Sequence, residues 1–407
     1  MARDRLAARR KAIGLSQEQL AHRLGVERTT VGRWEQGTST PQPWQRRSLA
    51  DELGVGLDEL ADLLALDADA AGDLAPGWAW TTVQAPGLED LEALELIRRV
   101  EASDVGGETT TALELAVDRL CRSYTNTAPD ELLAPLRGYR GYLVRLLDGH
   151  ATLAQRRELM VLAGWLSLMT AICDIDLHQY RAAATNLDAA RSLAHEAGYP
   201  LLAGWALETE GWQAITDGHY RRAVQLCRAG RDLVPTDASG YVQLSVQEAR
   251  ASARLGLAKE THRLLDDAAT ALDRMPTPDN PEHHFVFDPR KLVGYTATTL
   301  AWLGDDYGLA EEYAQQAVDQ YDVGATDGRW VRRLALARID LALVLSRIGE
   351  AEEAARLGSL AVGSGRLVSS NIWRLDELDD ELMSRYAGMA EVNGLHEQRL
   401  ALDRSTA

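Results

Sequence analysis

Arginine, threonine and glutamine side chains are concentrated between residues 15 and 37, in the stretch LSQEQLAHRLGVERTTVGRWEQG. A guanidinium group can donate two hydrogen bonds to the edge of one guanine, and a threonine methyl can contact the methyl group of thymine. Arg28, Thr29 and Arg33 fall on one side of a helical projection of this stretch. Their types and spacing therefore indicate contacts with base edges in the major groove of DNA.

Two short helices separated by a sharp turn are needed to present that side. Ser16 is placed to cap the first helix, and Gln19 stands three residues later, which is the spacing of a capping box. Leu20 and Leu24 follow at helical spacing and form an apolar stripe. Gly25 permits the sharp turn that ends this helix.

The second helix is predicted to begin near Glu27. Val31 and Trp34 share one side of it and are expected to pack against Leu20 and Leu24, which turns the arginines and threonines outward. Such a helix-turn-helix uses its second helix for base contacts and the start of its first helix to anchor a phosphate. The predicted DNA-binding residues are Gln17, Gln19, Arg28, Thr29, Thr30, Arg33, Arg46 and Arg47.

The charge distribution is typical of a protein in which one module meets nucleic acid. The formal net charge is −18, yet residues 1–47 carry ten Lys or Arg against four Asp or Glu, and the rest of the chain carries 33 against 57. A basic head on an acidic body is expected when only the head contacts phosphate. A helix-turn-helix that contacts protein instead is the alternative interpretation.

The composition favours a cytoplasmic protein with reduced thiols. No run of about 18 apolar residues is present, and the charged N-terminus MARDRLAARRKAIG lacks the apolar core of a signal peptide. Cys121, Cys173 and Cys227 lie far apart without a CxxC pair. We therefore expect them to be small core residues rather than parts of a disulfide framework.

The sequence predicts an all-α fold. Ala, Leu, Arg and Glu are abundant, Phe occurs twice, and β-branched alternation is scarce. Residues 1–66 contain about five short helical segments broken at glycines, and 67–87 (DADAAGDLAPGWAWTTVQAPG) lacks periodicity and is predicted to be a linker. Residues 88–407 continue as helix after helix. Within them, Leu88–Val100 is an amphipathic segment that suits either dimer contacts or an intramolecular cap.

An internal repeat runs through the helical region. A turn resembling G-x-Y-x-x-A recurs as HQYRAA at Tyr180, GHYRRA at Tyr220 and DDYGLA at Tyr307, with weaker copies at Ala258 and Ala351. One copy also carries Gly211, Ala214, Ala223, Cys227 and Pro235 at the small-residue and proline offsets of a tetratricopeptide repeat. The pattern predicts a tetratricopeptide-like α-solenoid, with generic helical hairpins as the alternative.

Aromatic and charged residues recur on the first helices of these repeats. The chain has ten Trp against two Phe, and Trp205 and Trp212 are seven residues apart, with Glu208 between them. A groove with aromatic walls and a few charges fits a peptide or a small-molecule effector; the alternative is that the tryptophans only fill gaps between helices. The predicted effector-binding residues are Trp205, Glu208, Trp212, Arg250, Arg254, Tyr295 and Trp302.

The sequence contains no recognisable catalytic constellation. GxxxxGK[ST], HExxH and GxSxG are all missing from the 407 residues. His283 and His284 stand near Asp288, but adjacent histidines point apart in most local conformations, which is a poor arrangement for a metal. We predict that the protein is not an enzyme and has no catalytic residue, no cofactor and no metal.

The head resembles the XRE (Cro-type) phage-repressor helix-turn-helix family through S-Q-x-x-L-A-x-x-L-G-V and W-E-x-G. This resemblance implies a five-helix repressor-type domain and a structural ion pair between Arg10 and Glu35. The family often has basic residues after the second helix of the motif, where this chain has TSTPQPW, so Arg46 and Arg47 are expected to supply the phosphate contact. The positions matching the family's DNA contacts are Gln17, Arg28, Thr29 and Arg33.

The order of the whole chain resembles actinobacterial XRE regulators with tetratricopeptide-like repeats and, more distantly, the peptide-sensing regulators of Gram-positive bacteria. The resemblance implies a homodimer on operator DNA, controlled by a peptide or small-molecule effector held in the solenoid. The asparagines with which the peptide receptors grip a ligand backbone do not occur at the groove offsets here. A scaffold that binds a protein partner, with no small effector, is the alternative function.

Overall fold

The fold consists of α-helices joined by short turns. The computed structural model describes residues 4–37, 39–41, 43–64, 105–325, 330–365, 367 and 369–406, and none of these residues is in a strand, as predicted. The first helices are α1 Asp4–Ala12, α2 Gln17–Leu24, α3 Arg28–Glu35, α4 Pro43–Leu53 and α5 Leu57–Leu64. They are followed by α6 Gly107–Ser123, α7 Pro129–Asp148, α8 Leu153–Asp176, α9 Tyr180–Glu196, α10 Pro200–Thr216, α11 Tyr220–Leu233 and α12 Ser239–Arg254. The last are α13 Ala258–Asp273, α14 Lys291–Leu303, α15 Tyr307–Ala325, α16 Val331–Ile348, α17 Ala351–Gly363, α18 Ser369–Tyr386 and α19 Ala390–Thr406.

Helices α1 to α5 form the head, with a core of its own. The predicted capping box is present, since Ser16 Oγ accepts from the Gln19 amide at 3.0 Å and Gln19 Oε1 accepts from the Ser16 amide at 2.8 Å. Gly25 ends α2 with φ +62°, a left-handed conformation that glycine adopts at little cost. The buried apolar side chains of this core are Leu6, Leu20, Ala21, Val31, Trp34, Leu49, Ala50, Leu53, Leu60 and Leu64.

The described residues group into two compact units. Unit 1 contains those within 1–173, 184–202 and 274–286, and therefore includes the head. Unit 2 contains those within 174–183, 203–273 and 287–407. The linker predicted at 67–87 and the amphipathic segment Leu88–Val100 lie outside the described residues.

Every predicted repeat turn marks the beginning of a helix. Helices α9, α11 and α15 begin at Tyr180, Tyr220 and Tyr307, and α13 and α17 begin at the weaker copies, Ala258 and Ala351. In each copy the turn breaks the chain for a few residues and starts the second helix of a pair. The helical-pair architecture is therefore confirmed, while the tetratricopeptide assignment stays a prediction.

Small residues let the paired helices of unit 2 approach closely. A Cβ atom added to Gly211 on α10 would lie 2.6 Å from the Sγ of Cys227 on α11, so no larger residue fits there without displacement. Cys121, Cys173 and Cys227 are all buried free thiols. The prediction that they are core residues is confirmed.

Helix α8 is long and apolar enough to be compared with a membrane span. Its most apolar window has a mean hydropathy of 1.6, and 83% of that window is buried inside the protein. Such burial is typical of the central helix of a soluble domain, because a spanning helix would expose its apolar side chains to lipid.

Candidate nucleic-acid interface and interior polar cluster

Helix α3 presents the predicted base-contacting side chains to solvent. Arg28, Thr29 and Arg33 are exposed, and Thr30 is half-buried. Val31 and Trp34, on the opposite side of the helix, are 1% and 2% exposed and belong to the core of the head. The apolar side thus fixes which residues point outward.

A buried ion pair fixes the end of α3 to α1. Arg10 Nε donates to Glu35 Oε1 at 2.6 Å, and Arg10 Nη2 donates to Glu35 Oε2 at 3.2 Å. Arg10 Nη1 also donates to the carbonyl of Leu15 at 2.6 Å, at the start of the turn into α2. The expected pair is confirmed, and its two hydrogen bonds are in the geometry that favours an arginine–carboxylate pair.

The two glutamines of α2 have partners within the head. Gln17 Nε2 donates to Glu35 Oε2 at 2.6 Å, so its amide nitrogen joins the ion pair rather than pointing to solvent. Gln19 is exposed, although its Oε1 is bound to the Ser16 amide in the capping box. The exposed start of α2 retains backbone N–H groups for a phosphate, which is the usual anion site of a helix N-terminus.

Arg46 and Arg47, the two residues of α4 that were predicted to contact phosphate, lie in different surroundings. Arg47 is exposed. Arg46 donates to the carbonyl of Pro41 at 3.1 Å and forms an ion pair with Glu114 of α6, and its side chain is 14% exposed. Arg46 therefore connects two parts of unit 1, and of the pair only Arg47 extends into solvent for a phosphate.

Glu114 is a buried carboxyl group at this connection. Burial raises the pKa of Glu114 to about 7, against the opposing effect of the Arg46 guanidinium. A second polar contact in unit 1 joins Ser48 Oγ of α4 to a carboxylate oxygen of Asp279 at 2.7 Å.

Five of the seven residues predicted to bind an effector meet inside unit 2. Glu208 Oε1 accepts from Gln243 Nε2 at 2.7 Å, and the same nitrogen lies 2.9 Å from the Tyr295 hydroxyl. The Cζ of Arg250 lies 5.4 Å from the centre of the Tyr295 ring. Together with the contacts of Trp302, these contacts join five of the predicted residues, namely Glu208, Arg250, Arg254, Tyr295 and Trp302. The other two predicted residues lie on α10, where Trp205 is buried and Trp212 is half-buried.

Trp302 is the centre of the second half of this cluster. The Cζ atoms of Arg250, Arg254 and Arg374 lie 4.8, 4.1 and 5.9 Å from its ring centre. The ring of Trp373, on α18, lies 5.6 Å away at an interplanar angle of 40°. Stacked cations and rings of this kind stabilise one another most where water is excluded. We give the name interior polar cluster to the residues joined by these contacts, which are Glu208, Gln243, Gln247, Arg250, Arg254, Tyr295, Trp302, Trp373 and Arg374.

Several members of the interior polar cluster were missed at the level of sequence. Gln243, Gln247, Arg250 and Arg254 lie on α12 at intervals of four, three and four residues, so they form one polar stripe along the helix. This spacing is visible in the sequence and could have indicated that the two glutamines belong with the two arginines. The part played by α18 could not be predicted from the sequence, because no repeat offset aligns this helix with α12. From α18, Glu377 forms a bidentate ion pair with Arg254, and Arg374 forms an ion pair with Asp340 of α16.

Burial shifts the ionisation of these groups toward their neutral forms. It raises the pKa of the Glu208 carboxyl and lowers the pKa of the Arg250 guanidinium. It also lowers the pKa of Arg374 to about 9 and that of the half-buried Lys291 to about 8. The cluster therefore holds its charges against a desolvation cost.

Comparison with known proteins identifies the head. Residues 6–60 match the family model described as helix-turn-helix. The chain is also similar to the cryptic phage CTXphi transcriptional repressor RstR of Vibrio cholerae serotype O1, with 35% identity over 65 residues. The match covers 16% of this chain, and the chain spans 58% of the length of that repressor. Residues 6–60 of the head therefore match a helix-turn-helix domain, as the motifs indicated.

Proposed function

We propose that the protein is a cytoplasmic DNA-binding transcriptional regulator that contacts its operator with α3. The observation that carries this proposal is the outward side of α3, where Arg28, Thr29 and Arg33 are exposed on a helix held to α1 by the buried Arg10–Glu35 pair. An arginine held on a rigid helix can make a bidentate contact with guanine, and the neighbouring threonine methyl suits thymine. The similarity of the head to a transcriptional repressor supports the same function.

Two copies of the head are needed for tight operator binding. Helix α3 has eight residues, so it is about 12 Å long and spans roughly three to four base pairs. So short a contact gives little discrimination between sequences. We propose a homodimer that places two copies of α3 on half-sites about 34 Å apart or a multiple of that distance.

The interior polar cluster of unit 2 is the proposed effector site. Its support is that Glu208, Arg250, Arg254, Tyr295 and Trp302, chosen from repeat offsets, belong to one connected set of contacts, in which Glu208 is joined to the others through Gln243 and Gln247. An effector that binds one conformation more tightly than another would shift the population competent for DNA. Native mass spectrometry of protein purified from its host separates this proposal from a scaffold function, because a scaffold would carry no small ligand.

The DNA-binding proposal is tested with Arg28→Ala/Arg33→Ala in gel-shift titrations on fragments of the protein's own promoter. Each lost bidentate contact costs about 1–3 kcal/mol, so the double variant should bind at least roughly 30-fold more weakly per head. The matched control is Arg137→Ala/Arg221→Ala, which removes the same charge from two exposed positions on α7 and α11. Equal weakening by the two double variants, or none by the first, contradicts the assignment of α3.

A further inference from the structure

Four buried N–H donors lie at the indole ring of Trp302 in unit 2, three on the surrounding arginines and one on the ring itself. They are the Nε groups of Arg250, Arg254 and Arg374 and the Nε1 group of Trp302, and none of them has a hydrogen-bond partner among the described residues. Arg250, Arg374 and Trp302 are 7%, 5% and 7% exposed. Each guanidinium carbon lies within 6 Å of the centre of the Trp302 ring. Cations and unpaired donors thus gather round a single side chain.

We propose that the interior polar cluster binds a small oxyanion, the carboxylate or phosphate group of a small molecule. The inference names the chemical class of the effector and rests on the effector site proposed above. Arg250 and Trp302 are the groups assigned to the anion, with Arg374 beside them.

The hydrogen-bonding pattern selects an anion over a cation or a neutral amine. Buried polar groups are nearly always paired in folded proteins, so several unpaired groups in one place indicate a missing partner. The unpaired groups of the three arginines and of Trp302 are donors, and an arginine or indole nitrogen cannot accept; Gln243 Oε1 is an unpaired acceptor in the same cluster. The partner of the four donors must therefore bring acceptor oxygens, and an oxyanion brings at least two together with a charge opposite to that of the arginines.

Arg250 donates a hydrogen bond to a neutral side chain, whereas the other two arginines of the cluster donate to carboxylates. Its Nη1 donates to Gln247 Oε1 at 2.7 Å, and Gln247 Nε2 donates in turn to Glu208 Oε1 at 2.8 Å. Arg254 and Arg374, in contrast, form direct ion pairs with carboxylates. The positive charge of Arg250 is thus relayed to a carboxylate only through an amide. A bound anion would replace that relay with a direct, charge-assisted contact, which is stronger by roughly a factor of two.

The desolvation of the cluster supports the same ligand. Burial depresses the pKa values of Arg250 and Arg374, which shows that the surroundings disfavour these cations. An anion placed among them favours their charged forms. A cationic ligand would add to the repulsion.

The test is isothermal titration of the full chain with inorganic phosphate and with benzoate, each in Tris chloride and without DNA. Saturable binding of either probe is expected. Phosphate binding alone identifies a phosphate group, and benzoate binding alone identifies a carboxylate. Saturation by neither probe overturns the proposal. Since DNA is absent, this result is independent of whether the head binds an operator.

Three variants locate the binding. Arg250→Gln keeps an amide donor but loses the charge, and the affinity should fall at least roughly tenfold, as for a lost hydrogen bond to a charged group. Trp302→Phe keeps the ring and loses one donor, so a smaller fall of severalfold is expected. The control Arg137→Ala/Arg221→Ala should bind as the unaltered protein does. Circular dichroism confirms the fold, and Trp302→Phe keeps the test valid if Arg250→Gln does not fold.

A second readout ties the site to regulation. The probe that binds should change the operator affinity of the unaltered protein in gel-shift titrations. Unchanged anion affinity in both Arg250→Gln and Trp302→Phe overturns the assigned site. Anion binding without any change in operator affinity leaves the binding site established and overturns its role as the effector site.

Discussion

The buried ion pair of the head offers the sharpest test of how α3 is held in place. We consider Glu35→Leu, which removes the carboxylate and leaves the Arg10 guanidinium without its charged partner. Arg10 and Glu35 are 5% and 7% exposed, so water can neither screen the pair nor replace the lost partner. Their contacts of 2.6 and 3.2 Å form a fork, and Gln17 adds a third at 2.6 Å.

Breaking such a buried pair on one side costs about 3–5 kcal/mol. Replacing both partners is different, because no charge is then left buried. We expect the double variant Arg10→Met/Glu35→Leu to recover most of the loss and to lie within about 1 kcal/mol of the original head.

Hydrogen–deuterium exchange read by mass spectrometry measures this stability in the full chain. Exchange of peptides covering α2 and α3 reports the free energy of local opening. A loss of about 3–5 kcal/mol corresponds to exchange faster by roughly 100- to 5,000-fold, up to the limit set by the stability of the head. The control is Glu18→Gln, an exposed acid in the first turn of α2. Acceleration below about fivefold in Glu35→Leu, or a double variant no better than the single one, would refute the reasoning.

Three further outcomes follow from particular side chains. Gly25→Ala should destabilise the head by at least about 1–2 kcal/mol and lower the thermal midpoint, because φ is +62° and the new Cβ would lie 2.3 Å from the Cβ of Pro276; an unchanged midpoint would contradict this. Burial raises the pKa of Glu114 in the folded protein to about 7, above the ordinary glutamate pKa of 4.5 that applies to the unfolded chain. The protonated form of Glu114 therefore contributes fully to stability below pH 4.5, and this contribution is lost as the pH rises through 7. Glu114→Gln should flatten that part of a pH series of thermal melts, and an equally steep series would argue against the shift. Cys121 and Cys227 are buried with raised pKa values, so a thiol reagent should label them only after denaturant is added, and fast labelling of the native chain would show that they are accessible.

Much of the helical framework could be predicted from local sequence alone. The capping box at Ser16, the glycine turn at Gly25 and the helix starts at Tyr180, Tyr220 and Tyr307 all depend on interactions within a few residues. Short-range hydrogen bonds and the 3.6-residue period determine them, so their signals lie close together in the chain.

The candidate sites depended on longer-range contacts to different degrees. The outward side of α3 follows from which residues of one helix are apolar, so Arg28 and Arg33 could be placed from the motif. Arg46 could not be placed, because its partner Glu114 lies 68 residues away and nothing local reveals an ion pair.

The sequence by itself determined a basic helix-turn-helix head, a series of helical pairs and a set of aromatic and charged residues at repeat offsets. Only the tertiary structure decided that Arg254 meets Glu377 across 123 residues, and that Arg374 is brought to Trp302. The physical reason is that side-chain periodicity specifies the face of a helix but not its neighbour. Which faces meet is set by the packing of small residues between helices, as at Gly211 against Cys227, and that packing is a property of the whole fold.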